Sequence, residues 1–488
     1  MTNRAGRLLT RIDRSGGGLT ADLFLYALSA AFALLTARTS TLLPHRAWGA
    51  IAFWAYLAAT LITLAQFMTR RRPRVALTWL TWLSACLLPL VVEAVQRAGG
   101  RTDRAQEEVL VVERMGDRLL HTGSPYLGRD AILALPADER LGAYSPYQPG
   151  MAVFGLPRAA FGDFWWTDAR VWFAVVTAGA LIIAVRLLPR SPLRVRAIQV
   201  ATVFPICALT LATGGDDLPV LALCLLGLAL VGVGSYGWAG VAIGAAGAMK
   251  PFAFPVIAVL VALAVARWLR PVPDPAKLDA PAADRQALAD HPVPAGSIPE
   301  AGDSRTASAV PAPGDVPASD FPAGEGVAAG GGVAGRPAAS PRWAWRLVAG
   351  AVGLPIVVLL PPALVGWDGF VENVLRFPLG HGVVESPAQS PFPGYLIAQH
   401  LPAGHYLATG LLVAVAAAFG VRLLRKPPRT ATAAALLSGL GLLAAILLMP
   451  TTRFGYLLYP AAFLIWAPAL RSHTAARAPQ GDAALYRQ

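Results

Sequence analysis

The sequence predicts an all-α polytopic membrane protein of about 12 transmembrane helices, and three observations carry that prediction. Of its 488 residues, 55% are hydrophobic and only 14% charged, against about 25% charged in an ordinary soluble domain. Windows of about 17–22 residues nearly free of charge recur along the chain, each long enough to cross a bilayer core of about 30 Å. The arginines that dominate the formal net charge of +13 gather beside those windows instead of spreading evenly.

Taken in order, residues 1–20 carry Arg4, Arg7, Arg11 and Arg14 and read as a basic cytoplasmic tail. No small-residue cleavage site follows the first apolar run, which argues against a cleaved signal peptide. Spans are expected at 21–37, 47–68, 76–95, 169–187, 197–213, 217–233, 238–250, 251–269, 344–365, 403–422, 430–449 and 454–470. With the amino terminus inside, this count places 69–75, 186–196, 267–342 and 422–429 in the cytoplasm. The clusters Arg70, Arg71, Arg72 and Arg74, then Arg186, Arg190, Arg194 and Arg196, then Arg422, Arg425, Lys426 and Arg429 all fall there, as the positive-inside rule asks. The Gly/Ala-rich stretch 238–251, which ends at Lys250-Pro251, also fits a broken or re-entrant helix.

The expected organisation is an amino-terminal membrane part over 21–270 with a long outer loop at 96–168, and a carboxy-terminal part over 342–470 with an outer loop at 366–402. Between them 271–341, rich in Pro, Ala, Gly and Asp, reads as a disordered cytoplasmic linker, because it lacks the apolar surface that would offset its chain entropy. Residues 471–488 read as a cytoplasmic tail, so both termini are expected inside. Cys86, Cys207 and Cys224 lie within apolar spans and act as small hydrophobes, with no disulfide or metal site implied. Arginines placed beside spans also argue against a nucleic-acid partner. No Walker loop, dinucleotide fingerprint or Gly-x-Ser-x-Gly elbow is present, which leaves nucleotide-driven chemistry without a site.

The outer loop 96–168 is the first place to seek chemistry. Glu107 and Glu108 precede Val109, Val111, Val112, Met115, Leu119 and Leu120, a spacing that predicts an amphipathic helix on the membrane surface, stopped at Gly123-Ser124-Pro125-Tyr126. By residue type alone the two glutamates read as solvated loop charges. Adjacent in a helix, they point about 100° apart, so only one of them faces a given site. Asp216 and Asp217 follow Gly214-Gly215 and precede Pro219, which reads as a helix cap or as contacts to an acceptor hydroxyl or a divalent cation. Trp165 and Trp166 suit the aromatic belt of a membrane interface.

The stretch from Glu108 to Tyr126 resembles the first outer loop of the GT-C-fold glycosyltransferases that use polyprenyl-phosphate sugars, and most nearly glycosyltransferase family 87, a mannosyltransferase branch. There an acidic residue, usually Asp, precedes a hydrophobic-aromatic pair, a Leu-Leu and a Gly-x-Pro-Tyr-like turn. Here the acid falls on Glu108, the leucines on Leu119 and Leu120 and the tyrosine on Tyr126, while Val112 stands where the family has an aromatic. Tyr144-Ser145-Pro146-Tyr147-Gln148-Pro149-Gly150, Gly215-Asp216-Asp217-Leu218-Pro219, Lys250-Pro251, Asn373-Val374-Leu375-Arg376-Phe377-Pro378 and Arg453-Phe454-Gly455-Tyr456 are also similar to the family.

What the resemblance implies is transfer of a sugar, mannose before others, from a polyprenyl-phosphate donor to a cell-envelope glycan or glycolipid on the outer face of the cell membrane. Such a transfer needs a base for the acceptor hydroxyl, which points to Glu108 as the catalytic residue. It also needs cations for the departing phosphate. Lys250 and Arg453 sit at expected outer span ends, against the positive-inside bias, and are the donor-phosphate candidates. Snorkelling to the interface is the alternative for Lys250, and pairing with a lipid headgroup for Arg453. Glu107, Tyr126, Tyr147, Asp216, Asp217 and His381 are expected around the acceptor or behind the primary contacts. A lone loop histidine such as His381 is more often structural. No cofactor is firmly implied, no histidine/glutamate set has zinc-ligand spacing, and membrane lipid is the remaining partner. The richness in Ala, Arg, Gly and Pro suits a GC-rich bacterial genome. Two competing readings are a multi-span transporter or flippase, which would place its ionisable residues near mid-membrane, and a lipid-linked glycan polymerase or ligase with the same topology.

Overall fold

Every apolar window of the sequence forms a helix. The computed structural model describes residues 15–69, 73–269 and 342–470. The tails at 1–14 and 471–488, Arg70 to Arg72 and the expected linker 271–341 lie outside the described residues. Among the described residues the helices in chain order are α1 (Gly16–Thr39), α2 (Leu43–Met68), α3 (Arg74–Ala98), α4 (Glu107–Thr122), α5 (Ala169–Leu187), α6 (Pro192–Thr213), α7 (Asp217–Val233), α8 (Tyr236–Met249), α9 (Pro251–Leu269), α10 (Arg342–Val365), α11 (Gly404–Arg425), α12 (Ala431–Leu448) and α13 (Phe454–Leu470). Short helices link them, and no strand is present among the described residues.

The protein is an all-α polytopic membrane protein. All of these helices except α4, α7, α8 and α13 are long and apolar enough to cross a membrane, nine in all. Helix α8 has 14 residues, or about 21 Å at 1.5 Å per residue, short of a core of about 30 Å. The twelve-crossing count therefore includes a helix that is interrupted at Lys250, where the backbone is extended (φ −147°, ψ 145°) before α9 begins. The first span also starts earlier than expected, because Asp22 is buried in its first full turn, paired with Arg74 and Arg196.

Polar tips of buried aromatics tie the bundle together where water cannot compete. Trp48 Nε1 donates to the Ala85 carbonyl at 2.8 Å, and Trp466 Nε1 to that of Ala197 at 2.8 Å. Helix α6 is interrupted before Pro205, whose ring removes one donor and crowds the preceding turn. Its freed Val203 carbonyl accepts from the Tyr56 hydroxyl at 2.8 Å. Helices α7 and α8 form an antiparallel hairpin turned by Gly234 (φ 85°), with Ser235 N–H bonded back to the Leu230 carbonyl at 2.8 Å. That is a left-handed glycine stop, and the hairpin brings Asp217 and Lys250 to the same end.

The helix expected in the first loop forms as α4 and ends at Gly123 in the left-handed region (φ 75°). It differs from the expectation in what its apolar face covers. Val109, Val112 and Met115 are buried, with Gly116 set directly against the backbone of Gly155. The helix thus packs on the protein segment 149–161 and not on lipid alone.

A buried ionic network fixes its position. Arg97, at the end of α3, donates to Glu113 on α4 at 2.6 Å and to Asp168 at 2.9 Å. Arg170 reaches Asp168 at 2.8 Å and Glu93 at 3.2 Å. Burial alone would raise the Asp168 carboxyl, but these arginines hold it well below the usual carboxylate range. The second polar loop docks on the first in a similar way. Glu372 accepts from the Tyr144 hydroxyl at 2.6 Å and from Arg129 at 2.9 Å, while Asn373 accepts from Ser145 N–H at 2.7 Å.

Candidate active site

Four separate chain segments converge on Glu108, and local backbone contacts explain why. Gln106 N–H donates to the Thr213 carbonyl at 3.0 Å, and the Thr213 hydroxyl donates to Gln106 Oε1 at 2.8 Å. The head of α4 is thereby fastened beside the loop that opens α7. Gln148 N–H donates to the Met249 carbonyl at 3.1 Å, which sets the Tyr147 ring 5.0 Å from Lys250 Nζ. The second polar loop clasps the start of α13, with Ser390 N–H on the Thr452 carbonyl at 2.9 Å and Phe454 N–H on Ser390 Oγ at 2.9 Å. Arg453 lies between those two bonds.

The side chains form two linked ionic groups. Arg453 pairs through Nη1 with Glu108 Oε1. Lys250 Nζ lies 2.5 Å from Asp217 Oδ1 and 2.9 Å from Asp216 Oδ2. Asp217 also accepts from the Tyr459 hydroxyl at 2.9 Å. Burial alone would lower the Arg453 guanidinium, but the neighbouring Glu108 carboxylate more than offsets that and holds it charged. Burial pushes the Asp216 carboxyl up to about 6, against the pull of Lys250. Three carboxylates face two cations here, which leaves the cluster one negative charge in excess when all are ionised.

Access separates the two cations. Arg453 keeps 38% of its side-chain surface exposed and Glu108 keeps 17%, whereas Lys250 keeps 5%. A ligand can therefore reach the Arg453–Glu108 pair directly, while Lys250 is enclosed by its aspartates. The cap expected of Asp216 and Asp217 is not made. Neither carboxylate bonds the free amides of α7, because Lys250 takes both.

Of the residues singled out in the sequence, Glu108, Tyr147, Asp216, Asp217, Lys250 and Arg453 share this one cluster. Tyr126 stands behind it, its hydroxyl donating to the Tyr147 carbonyl at 2.8 Å. Glu107 points to solvent, and His381 is exposed against the Tyr406 ring, 5.7 Å between centroids. Neither is joined to the cluster by a contact. Sequence reasoning missed Tyr459, Tyr456, Gln106 and His45. Tyr456 interacts electrostatically with Lys250 and Arg453, and His45 with Gln106 and Glu108. The i, i+3 spacing of Tyr456 and Tyr459, just after Arg453, was a signal that the two tyrosines share one face at the start of α13. Among the described residues no three His, Cys, Asp or Glu side chains are grouped to hold a metal ion.

Residues 145–272 match glycosyltransferase family 87. No curated protein and no solved structure matches the chain. The matched stretch carries Tyr147, Asp216, Asp217 and Lys250, and the chain is similar to glycosyltransferase family 87; on that similarity it is a membrane glycosyltransferase.

Proposed function

We propose that the protein transfers mannose from a polyprenyl-phosphate donor to a cell-envelope glycan or glycolipid on the outer face of the membrane. The observation that carries this reading is the meeting of Glu108 with Arg453, two polar residues from distant segments, beside the aspartates and lysine of the family-matched stretch. Glu108 takes the proton from the acceptor hydroxyl as that oxygen bonds to the anomeric carbon. The bond from the anomeric carbon to the donor phosphate oxygen breaks, and the electron pair leaves with the phosphate. Arg453, the more accessible cation, stabilises the charge that develops there. Lys250 supports the same region from behind Asp216 and Asp217, and a phosphate gains its full charge only when one aspartate is protonated or displaced. Tyr147 and Tyr456 wall the site.

The test uses membranes containing the protein, radiolabelled polyprenyl-phosphate mannose and a lipid extract, comparing wild type with Glu108→Gln. Transfer by wild type and a loss of about 10²-fold or more in the variant is the expected result for a general base. Equal transfer by both removes Glu108 from the chemistry. No transfer from any polyprenyl-phosphate sugar overturns the donor assignment.

A further inference from the structure

A second charged cluster lies at the far end of the bundle, and transfer chemistry at Glu108 does not use it. Arg97, which holds α4, closes α3, and Arg74 opens it. Over 25 residues the helix separates those ends by about 36 Å. Beside Arg74 is an open cleft of about 550 Å³ whose lining includes Arg74, Arg190, Ser191, Pro192 and Arg194 and, among the described residues, no carboxylate. Nearby Asp22 pairs with both Arg74 and Arg196, each at 2.5 Å. Arg190 and Arg194 repel each other, and neither has an ion pair among the described residues.

Two polar atoms in this lining point to a missing ligand. Arg194 Nε and Ser191 Oγ are buried and, among the described residues, have no hydrogen-bond partner. Ser191 precedes the first helical turn of α6 yet makes no cap bond to it, although capping is the ordinary use of a serine there. An interfacial arginine ordinarily extends its head into water, whereas Arg194 turns a donor inward. The start of α6 adds the partial positive charge of a helix amino terminus.

We propose that this cleft is a phosphate-binding site, held by Arg190, Arg194 and the Ser191 hydroxyl. Guanidinium forks match the geometry of phosphate oxygens, and a hydroxyl supplies one further donor. The shared chemistry has two sources, the headgroup of an acidic phospholipid, which basic clusters beside spans attract, and a soluble phosphate. The site stands independently of the transferase reading.

The experiment uses the full-length protein with two probes. In the first, protein taken from phosphatidylglycerol vesicles is examined by native mass spectrometry for retained lipid. In the second, inorganic phosphate is titrated against the thermal transition in detergent. Arg190→Gln/Arg194→Gln is compared with Arg422→Gln/Arg425→Gln, which removes equal charge at the end of α11 away from the cleft.

For a lipid ligand, the first variant loses about tenfold or more of the retained lipid, the scale of charge-assisted hydrogen bonds, and the second keeps it. For a soluble ligand, inorganic phosphate raises the transition of wild type and of the second variant but not of the first. Equal losses in both variants would mean general surface charge and overturn the site, as would wild-type behaviour of the first variant with both probes. Ser191→Ala repeats the comparison if Arg190→Gln/Arg194→Gln does not fold, and an unchanged response to both probes then overturns the proposal.

Discussion

Glu108 and Arg453 lie 345 residues apart in the chain and form one ion pair, with the arginine the more exposed partner. Each is fastened by its own backbone clasp, Gln106 on Thr213 for one and Ser390 on Thr452 for the other. The pair is therefore held by the fold and does not depend on mutual attraction alone. Arg453→Ala is expected to raise the KM for a polyprenyl-phosphate sugar and to lower kcat, because it removes charge that acts on donor and transition state alike. Arg453→Lys should recover part of kcat, since a point charge remains but the two-pronged geometry does not. Initial rates of sugar transfer across a donor series check this, and an unchanged KM in Arg453→Ala would sink the donor role.

The Asp216 carboxyl, pushed up by burial to about 6, gives the site a pH dependence with a definite sign. Above that value the three carboxylates outnumber Lys250 and Arg453 by one charge. As pH falls through it Asp216 gains a proton, the excess disappears, and Lys250 is left with Asp217 alone. The KM for an anionic donor should fall between about pH 7.5 and about pH 5.5. Asp216→Asn should show a low KM throughout and no such trend. A rising or flat KM for wild type over that window, measured at constant ionic strength, contradicts the assignment.

Arg97 bridges Glu113 and Asp168, and all three are buried. Removing one member of a buried ion pair leaves an uncompensated charge and typically costs about 3–5 kcal/mol. Arg97→Ala is expected to destabilise the protein on that scale, read as a lower thermal transition in detergent. Arg97→Lys should recover only part, because one ammonium cannot reproduce the fork that meets Glu113 with both nitrogens. A transition for Arg97→Ala equal to that of wild type would show that the network is not what holds α4.

The helices were legible in the sequence because lipid imposes a simple demand, an apolar run long enough to satisfy its own backbone. Helix α4 was legible too, from the spacing of its valines and the stop at Gly123. What could not be read was the partner each charge would choose. Asp216 and Asp217 have the residue types and place of a helix cap, and only the α7–α8 hairpin, turned at Gly234, shows that Lys250 reaches them first. Arg170, the second residue of a span, gave no hint of its buried partner Glu93 on α3, because pairing between distant segments has no periodicity. His381 carried chemical promise by type alone, and the fold leaves it on Tyr406.

The last prediction concerns the close approach that carries Lys250. A Cβ on Gly244 would strike the carbonyl of Gly350, and one on Gly240 would strike that of Leu347. Both obstacles are backbone atoms of α10 and cannot rotate away, so α8 and α10 would have to part. Small residues at such crossings let helices approach closely in membranes, and overpacking typically costs about 1–3 kcal/mol. Gly244→Ala should lower the thermal transition accordingly, whereas Gly353→Ala, where nothing lies near the added atom, should be neutral or stabilising through helix propensity. The effect should also reach the site, because Met249 at the end of α8 holds Gln148 and hence the Tyr147 ring beside Lys250. A higher donor KM in Gly244→Ala together with the lower transition supports that coupling. A Gly244→Ala protein as stable as Gly353→Ala would show that the two helices do not need this contact.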